Sequence, residues 1–142
     1  MEQWQPVSEH LPDPMAAFSR VTANAPKPIS PAVHGALDYS VAASFFALGF
    51  RLRSQHRAAS TLAFINGAMV LGLALVTDYP AGVWRRVSFK GHRTADIMQA
   101  ALAGLGPTLM GFGRDQEATY FYGQAISEMG VIAATDWDAP VR

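Results

Sequence analysis

An internal repeat is the feature that most constrains the fold of this chain. Two polar motifs occur twice at an offset of 58 residues: His34-Gly-Ala-Leu-Asp38 with His92-Arg-Thr-Ala-Asp96, and Thr77-Asp78-Tyr79 with Thr135-Asp136-Trp137. Two signatures that keep one offset indicate two copies of one supersecondary unit. The fold must therefore place the same unit twice, as repeat one at 31–82 and repeat two at 89–140.

Each repeat contains two apolar segments, which gives four in all: 31–50, 58–79, 91–112 and 116–135. At 1.5 Å per residue, a helix of about 20 residues crosses a hydrocarbon core about 30 Å thick. Charged residues gather in the connections, and Gly, Ala and Ser gather inside the segments, as in packed membrane helices. The pattern predicts an all-α fold: a four-helix transmembrane bundle made of two tandem helical hairpins at 31–142, preceded by an N-terminal arm.

The composition narrows the partners. Half of the 142 residues are hydrophobic, 15% are charged, and the net charge is +0, whereas soluble domains carry about 25% charged residues. Without a basic excess, nucleic acid is not an expected partner. The segment 58–76 has no charged side chain and thus no polar face, which favours a lipid bilayer over the alternative of a soluble bundle.

The arm at 1–30 contains five of the nine prolines and is predicted to be irregular and polar. Asp13 followed by Pro14 is a helix-start signal, so a short amphipathic helix within the arm is the alternative. A basic stretch leading into an apolar core, which marks a secretory signal, is not found at 1–13.

Six polar residues are predicted to meet at one face of the bilayer. If the helices run up-down-up-down, the first and third begin where the second and fourth end. His34 and His92 then lie in first turns, and Asp38 and Asp96 lie one turn deeper on the same helix faces. Asp78 and Asp136 close the second and fourth helices on that side. Tyr39, Tyr79, Trp84 and Trp137 are expected to form an interfacial belt there.

Three interpretations of this cluster stay open. It is a hydrogen-bonded clamp that sets helix register, a metal or cofactor site centred on His34 and His92, or a proton relay of a small carrier. Gln124 and Glu128 in the last segment are predicted to contact a partner or a pocket. No cofactor is required by the sequence. Familiar catalytic motifs are not found, so an enzyme is the less favoured class and no catalytic residue is predicted.

Several motifs together resemble the SPW-repeat family of small bacterial membrane proteins. They are Val33-His-Gly-Ala-Leu-Asp-Tyr39, Thr77-Asp-Tyr79 with Gly82, and the Gly-Phe pairs at Gly49-Phe50 and Gly111-Phe112. The resemblance covers 31–137. The naming tripeptide is degraded to Ser44-Phe45-Phe46 and Gly106-Pro107-Thr108, which indicates a divergent member. The resemblance implies tandem two-helix repeats in a bacterial membrane, and it implies no activity.

The expected function is that of an integral membrane structural or accessory subunit without intrinsic catalysis. Its partners would be the bilayer and other membrane proteins or further copies of itself. More of the Lys and Arg residues flank the His/Asp side than the other side. The positive-inside rule therefore predicts a multi-pass protein of the bacterial cytoplasmic membrane with both termini in the cytoplasm.

Overall fold

The computed structural model describes residues 26–141. Its elements are α1 Pro31–Leu52, α2 Arg57–Val76, β1 Thr77–Asp78, β2 Val87–Ser88, α3 Phe89–Leu109 and α4 Ala118–Ala134. The prediction of an all-helical fold with four helices is confirmed, and the two short strands were not foreseen. α2 ends three residues before the predicted boundary, because Thr77 is extended rather than helical.

The two hairpins begin with the same capping device. The Ser30 Oγ accepts a hydrogen bond from the Val33 amide at the start of α1, and the Ser88 Oγ accepts one from the Gly91 amide at the start of α3. A serine in this position satisfies one of the amides that a helix start leaves without a partner. The repeat therefore extends to the caps, which lie 58 residues apart in the sequence.

Short strand contacts tie each repeat to the other. β1, which follows α2, pairs in parallel with β2, which precedes α3, so that Thr77 is opposite Val87. In the same way Thr135, which follows α4, forms a parallel bridge with Ile29, which precedes α1. Ile29, at the end of the predicted arm, therefore has a defined backbone partner, and the short helix predicted in the arm lies outside the described residues.

The core of the bundle consists of two apolar clusters, one around Phe45 and Phe121 and one around Tyr79 and Trp137, and polar side chains are buried as well. The buried polar side chains are His34, Asp38, Ser60, Asn66, Thr77, His92, Asp96, Gln99 and Thr135. Many large hydrophobic side chains are exposed instead, among them Phe50, Ile65, Met69, Met98, Leu105, Leu109 and Ile126. On α2 the polar Asn66 is fully buried, whereas Ile65 beside it is 42% exposed.

In the described part of the chain, one helix is long and apolar enough to cross a bilayer. It is α2, and only 44% of its apolar window is buried inside the bundle. α1 and α3 each carry a buried histidine and aspartate, which lower their hydropathy, and α4 has 17 residues. One such helix also occurs in the core of soluble proteins, so the predicted set of four spanning helices is not established by this structure.

Gly82 shapes the turn that follows β1 and thereby positions Thr77 and Tyr79. A Cβ atom on Gly82 would overlap the carbonyl oxygen of Thr77. We expect Gly82→Ala to lower the free energy of unfolding by about 2 kcal/mol, because backbone must move to relieve the overlap. Gly72→Ala is the control, since its Cβ would meet nothing within 4 Å and alanine favours helix by up to about 1 kcal/mol. Equal unfolding midpoints in denaturant titrations of the two variants would contradict this account.

Candidate functional site

Four of the six predicted polar residues form one buried cluster at the end of the bundle where α1 and α3 begin. His34, Asp38, His92 and Asp96 each offer a ligand atom, and these four atoms lie within 4.8 Å of one another. The two histidines are 1% exposed, and the aspartates are 9% and 6% exposed. Each repeat contributes one histidine and one aspartate, so the cluster joins the two repeats. We call these four residues the His/Asp cluster.

The two histidines point their Nε2 atoms at each other and at both carboxylates. The two Nε2 atoms are 3.2 Å apart. Asp96 places one carboxylate oxygen 3.1 Å from the His34 Nε2 and the other 3.0 Å from the His92 Nε2. Asp38 lies slightly farther away, at 3.5 Å and 3.4 Å from the same two nitrogens. The nearer carboxylate to His34 is therefore that of Asp96 in the other repeat, and not that of its own i+4 partner Asp38.

Two threonines determine the tautomer of the histidines. The Thr135 hydroxyl donates to the Val131 carbonyl at 2.7 Å, and the same oxygen lies 2.9 Å from the His34 Nδ1. A hydroxyl has one hydrogen, which is used on the carbonyl, so Nδ1 must carry the proton and donate to Oγ1. The same arrangement occurs at the other histidine. The Thr77 hydroxyl donates to the Leu73 carbonyl at 2.7 Å, and the same oxygen lies 2.7 Å from the His92 Nδ1.

This tautomer leaves the His/Asp cluster without a hydrogen-bond donor of its own. A neutral imidazole protonated on Nδ1 presents a bare lone pair at Nε2, and an ionised carboxylate only accepts. Two nitrogen lone pairs and two carboxylates then converge in a largely buried site. Buried acceptors with no donor are costly, so the arrangement requires positive charge at its centre, supplied by protons or by a metal ion.

Tyr79 makes the two carboxylates inequivalent. Its hydroxyl donates to the Asp38 Oδ2 at 2.7 Å, and the side chain is fully buried. Burial and the negative charge of Asp38 raise the pKa of Tyr79 well above its usual range, so the phenol stays a donor. The equivalent Trp137 donates to the Ile132 carbonyl instead, at 2.9 Å. Asp38 thus accepts a hydrogen bond from a phenol, whereas the two oxygens of Asp96 each face one imidazole Nε2.

Aromatic rings enclose the His/Asp cluster on the side of the helix ends. Trp137 packs against Phe89 and His34 with ring centroids 4.7 Å and 4.9 Å apart. The prediction that Tyr79 and Trp137 belong to an interfacial belt is therefore corrected, because both are buried in the wall of the site. Trp84, by contrast, is 60% exposed.

Asp78 and Asp136 do not join the His/Asp cluster, and that part of the prediction is corrected. Asp78 lies 3.8 Å from Arg85, with both side chains about half exposed. Asp136 accepts a hydrogen bond from the Asp138 amide at 3.1 Å. Successive side chains of extended backbone point to opposite sides. Thr77 and Thr135 point inward to the histidines, so the aspartates that follow them point outward.

Gln99 is a buried residue near the His/Asp cluster that sequence reasoning missed. It lies on the α3 face of Asp96, three residues later, and its Nε2 donates to the Asn66 Oδ1 at 2.8 Å. Its i+3 spacing from Asp96 was the available signal. Among residues 26–141, the Gln99 Oε1 and the Glu128 Oε2 are the buried side-chain polar atoms without a hydrogen-bond partner. Gln124 is half-buried one turn before Glu128 on α4.

A second histidine-carboxylate group at the opposite end of the bundle differs in chemistry. The His56 Nδ1 accepts from the Ala59 amide as a helix cap, so Nε2 carries the proton and donates to Asp115 at 3.0 Å. That hydrogen bond raises the pKa of His56. Each ring nitrogen already has a partner of the right kind, so this group has no bare lone pair. It supplies a control for the His/Asp cluster.

Comparisons with known proteins give no match for this chain: no family model, no curated protein and no solved structure is similar to it. The resemblance to the SPW-repeat family therefore stays a prediction. The function must be inferred from the His/Asp cluster and from the surface of the bundle.

Proposed function

We propose that this chain is a membrane-embedded four-helix protein that binds one divalent transition metal ion in the His/Asp cluster. The observation that carries the proposal is the convergence of two imidazoles and two carboxylates, whose ligand atoms lie within 4.8 Å of one another in a buried site. Two imidazole nitrogens and carboxylate oxygens form a donor set suited to zinc, iron(II) or manganese(II). A single bound cation would interact with all four groups at once.

The spacing of the cluster fits one ion. Two nitrogens about 2.1 Å from a metal, at an angle of about 100°, are about 3.2 Å apart, which matches the observed separation of 3.2 Å. The carboxylate distances of 3.0–3.5 Å from the nitrogens are also those of neighbouring ligands around one ion. Metal-binding histidines commonly donate their other ring N–H to an oxygen, as His34 and His92 do to threonines.

The surface of the bundle supports the membrane part of the proposal. The face of α2 that is turned away from the other helices presents Ile65 and Met69, 42% and 45% exposed, and no charge. The buried polar groups on the inside and the apolar groups on the outside suit a bilayer as solvent. α1, α2 and α3, of 22, 20 and 21 residues, reach across a core about 30 Å thick.

Metal analysis of the purified protein tests the proposal. The full chain is extracted in mild detergent, stripped with a chelator and titrated with Co²⁺, which gives visible absorption bands when bound by nitrogen and oxygen ligands. We expect uptake of one ion per chain and loss of the bands when Zn²⁺ is added. A chain that takes up no stoichiometric metal from Co²⁺, Zn²⁺, Fe²⁺ or Mn²⁺ would overturn the proposal.

Thr135→Val should weaken the binding of Co²⁺ by about 10- to 100-fold. The valine keeps the shape of threonine but removes the oxygen that accepts from the His34 Nδ1, and loss of such an outer hydrogen bond has this effect in other metal sites. Isothermal titration of the stripped protein measures the change. Thr61→Val, at an exposed position of α2, is the matched control. An affinity equal to that of the control would mean that Thr135 does not orient the ring.

A further inference from the structure

The two repeats differ in how closely their helices pack across the repeat boundary. α2 packs closely against α3, whereas α4 and α1 make far fewer contacts. Between α2 and α3, a Cβ atom on Gly106 would come within 2.7 Å of Leu62, so this boundary has no spare room. The boundary between α1 and α4, which we call the α1–α4 seam, includes a hydrogen bond between the hydroxyls of Ser44 and Tyr120 at 2.6 Å.

The offset of 58 residues shows which side chains of α4 face this seam. Leu62, Asn66 and Val70 face α3 from α2, where Leu62 meets Gly106, Asn66 bonds Gln99 and Val70 is 8% exposed. Their counterparts on α4 are Tyr120, Gln124 and Glu128. Repeat symmetry therefore turns these three toward α1, and the hydrogen bond from Tyr120 to Ser44 agrees. The seam has a polar side chain at each helical turn.

This polar row connects the far end of the bundle with the His/Asp cluster. At its outer end lies an open groove of about 350 Å³, which Tyr120 lines together with Arg51, Gln55, Gln116 and Glu117. At its inner end, Glu128 lies two helical turns before Thr135, whose hydroxyl contacts His34 of the His/Asp cluster. Gln124 lies one turn from each end residue.

Glu128 occupies a position that the fold does not require to be polar, because valine fills it in the other repeat. Its Oε2 is buried and has no hydrogen-bond donor within residues 26–141, and the same holds for the Gln99 Oε1 one turn below Asp96. Gln99 is 2% exposed. Both atoms are hydrogen-bond acceptors, so this region lacks a hydrogen-bond donor or a cation. The adjoining His/Asp cluster adds two more carboxylates, Asp38 and Asp96.

We propose that the α1–α4 seam is the path by which a divalent metal ion reaches the His/Asp cluster, with Glu128 as its transient ligand. The inference rests on the proposed function. The ion enters at the groove, loses water along Tyr120 and Gln124, and is held by Glu128 before it passes to Asp96 and Asp38. In the final state the ion is bound by the four cluster residues, and Glu128 is not a ligand.

The rate of Co²⁺ binding tests this path. The stripped full chain in mild detergent is mixed with Co²⁺ in a stopped-flow instrument, and the absorption bands are followed. For Glu128→Gln we expect an association rate at least tenfold lower than that of the unchanged protein, with the same final spectrum. Asp138→Asn is the control, because it removes one exposed negative charge that lies outside the groove and the α1–α4 seam. Its association rate should change less than threefold.

Each outcome decides a separate question. Association of Glu128→Gln at the rate of the Asp138→Asn control would overturn the path and leave the metal site standing. A slower rate with a changed spectrum would make Glu128 a permanent ligand and overturn its transient role. Failure of the unchanged protein to take up Co²⁺ would overturn the proposed function and the path with it. Glu128→Val introduces the residue that the other repeat has at this position, Val70, so we expect the bundle to stay folded. This variant should bind Co²⁺ as slowly as Glu128→Gln.

Discussion

His34→Ala lowers the affinity of the stripped protein for Co²⁺ by a factor of about 100 or more. The binding free energy of four-ligand metal sites in small proteins is about 10–16 kcal/mol. If the four ligands contribute equally, the loss of one ligand weakens binding by about 3 kcal/mol. The alanine removes one of the two nitrogen ligands and leaves the Thr135 hydroxyl without its donor. Equilibrium titration followed by visible absorption measures both the affinity and the loss of the nitrogen-dependent bands.

His92→Ala should give a loss of the same size, because the two repeats hold their histidines in the same way. His56→Ala is the control: its ring lies at the other end of the bundle, and both of its nitrogens already have partners. If His56→Ala reduced the affinity as much as His34→Ala does, the ion would be bound elsewhere. If neither cluster variant changed the affinity, the assignment of the ligands would be wrong.

Ile65→Arg strongly reduces the amount of folded protein in the membrane fraction. Ile65 is 42% exposed near the middle of α2, and an arginine at the centre of a spanning helix makes insertion less favourable by about 2.5–3.5 kcal/mol. In water the same substitution at an exposed site would change stability by less than about 0.5 kcal/mol. A bilayer around α2 therefore predicts a strong loss of folded Ile65→Arg protein, whereas water around α2 predicts almost no change. Quantitative immunoblots of membrane and aqueous fractions after cell lysis read out the difference.

Thr61→Arg provides the comparison on the same helix. Thr61 is exposed one turn from the start of α2, where a long arginine side chain reaches the polar boundary of a bilayer. We expect this variant to accumulate in membranes close to the normal level. Equal accumulation of the two arginine variants, or recovery of folded protein in the aqueous fraction without detergent, would place α2 in water and overturn the membrane part of the proposal.

The internal repeat and the helical spacing of its motifs are enough to predict much of the architecture and the centre of the site. One conserved offset is enough to predict two equal hairpins, since a repeated sequence builds a repeated structure. The i,i+4 spacing places His34 over Asp38 and His92 over Asp96 on single helix faces. Because α1 and α3 run in the same direction, these faces meet, and the structure brings the four residues within 4.8 Å.

The remaining features of the site depend on contacts between segments far apart in the chain. Whether Thr135 or Asp136 turns inward is set by the strand bridge to Ile29, more than 100 residues earlier, and local patterns do not show that bridge. The strands also decide that Asp78 points outward. Tyr79 looked interfacial because its burial comes from packing against distant segments, at Gly35 in its own repeat and at Phe89 and His92 in the other. The repeated motifs also do not predict that α2 and α3 pack more closely than α1 and α4.

Three expectations from the sequence remain predictions: the SPW-repeat resemblance, the multi-pass location in a bacterial cytoplasmic membrane with cytoplasmic termini, and the role as an accessory subunit. A metal-binding role does not exclude the last of these, since a subunit can carry an ion for a larger assembly. Co-purification from native membranes in mild detergent would identify such a partner or a homo-oligomer.

The reciprocal strand contacts at Ile29 and at β2 have an evolutionary and an engineering consequence. The end of each hairpin pairs with the segment that leads into the other hairpin. The molecule thus resembles a symmetric dimer whose two protomers are connected, here through residues 79–86. Residues 29 and 135 adjoin. A circularly permuted gene that opens the chain after the exposed Trp84, so that Tyr79 and Gly82 keep their turn, and that joins the two present termini should encode the same pair of strand contacts.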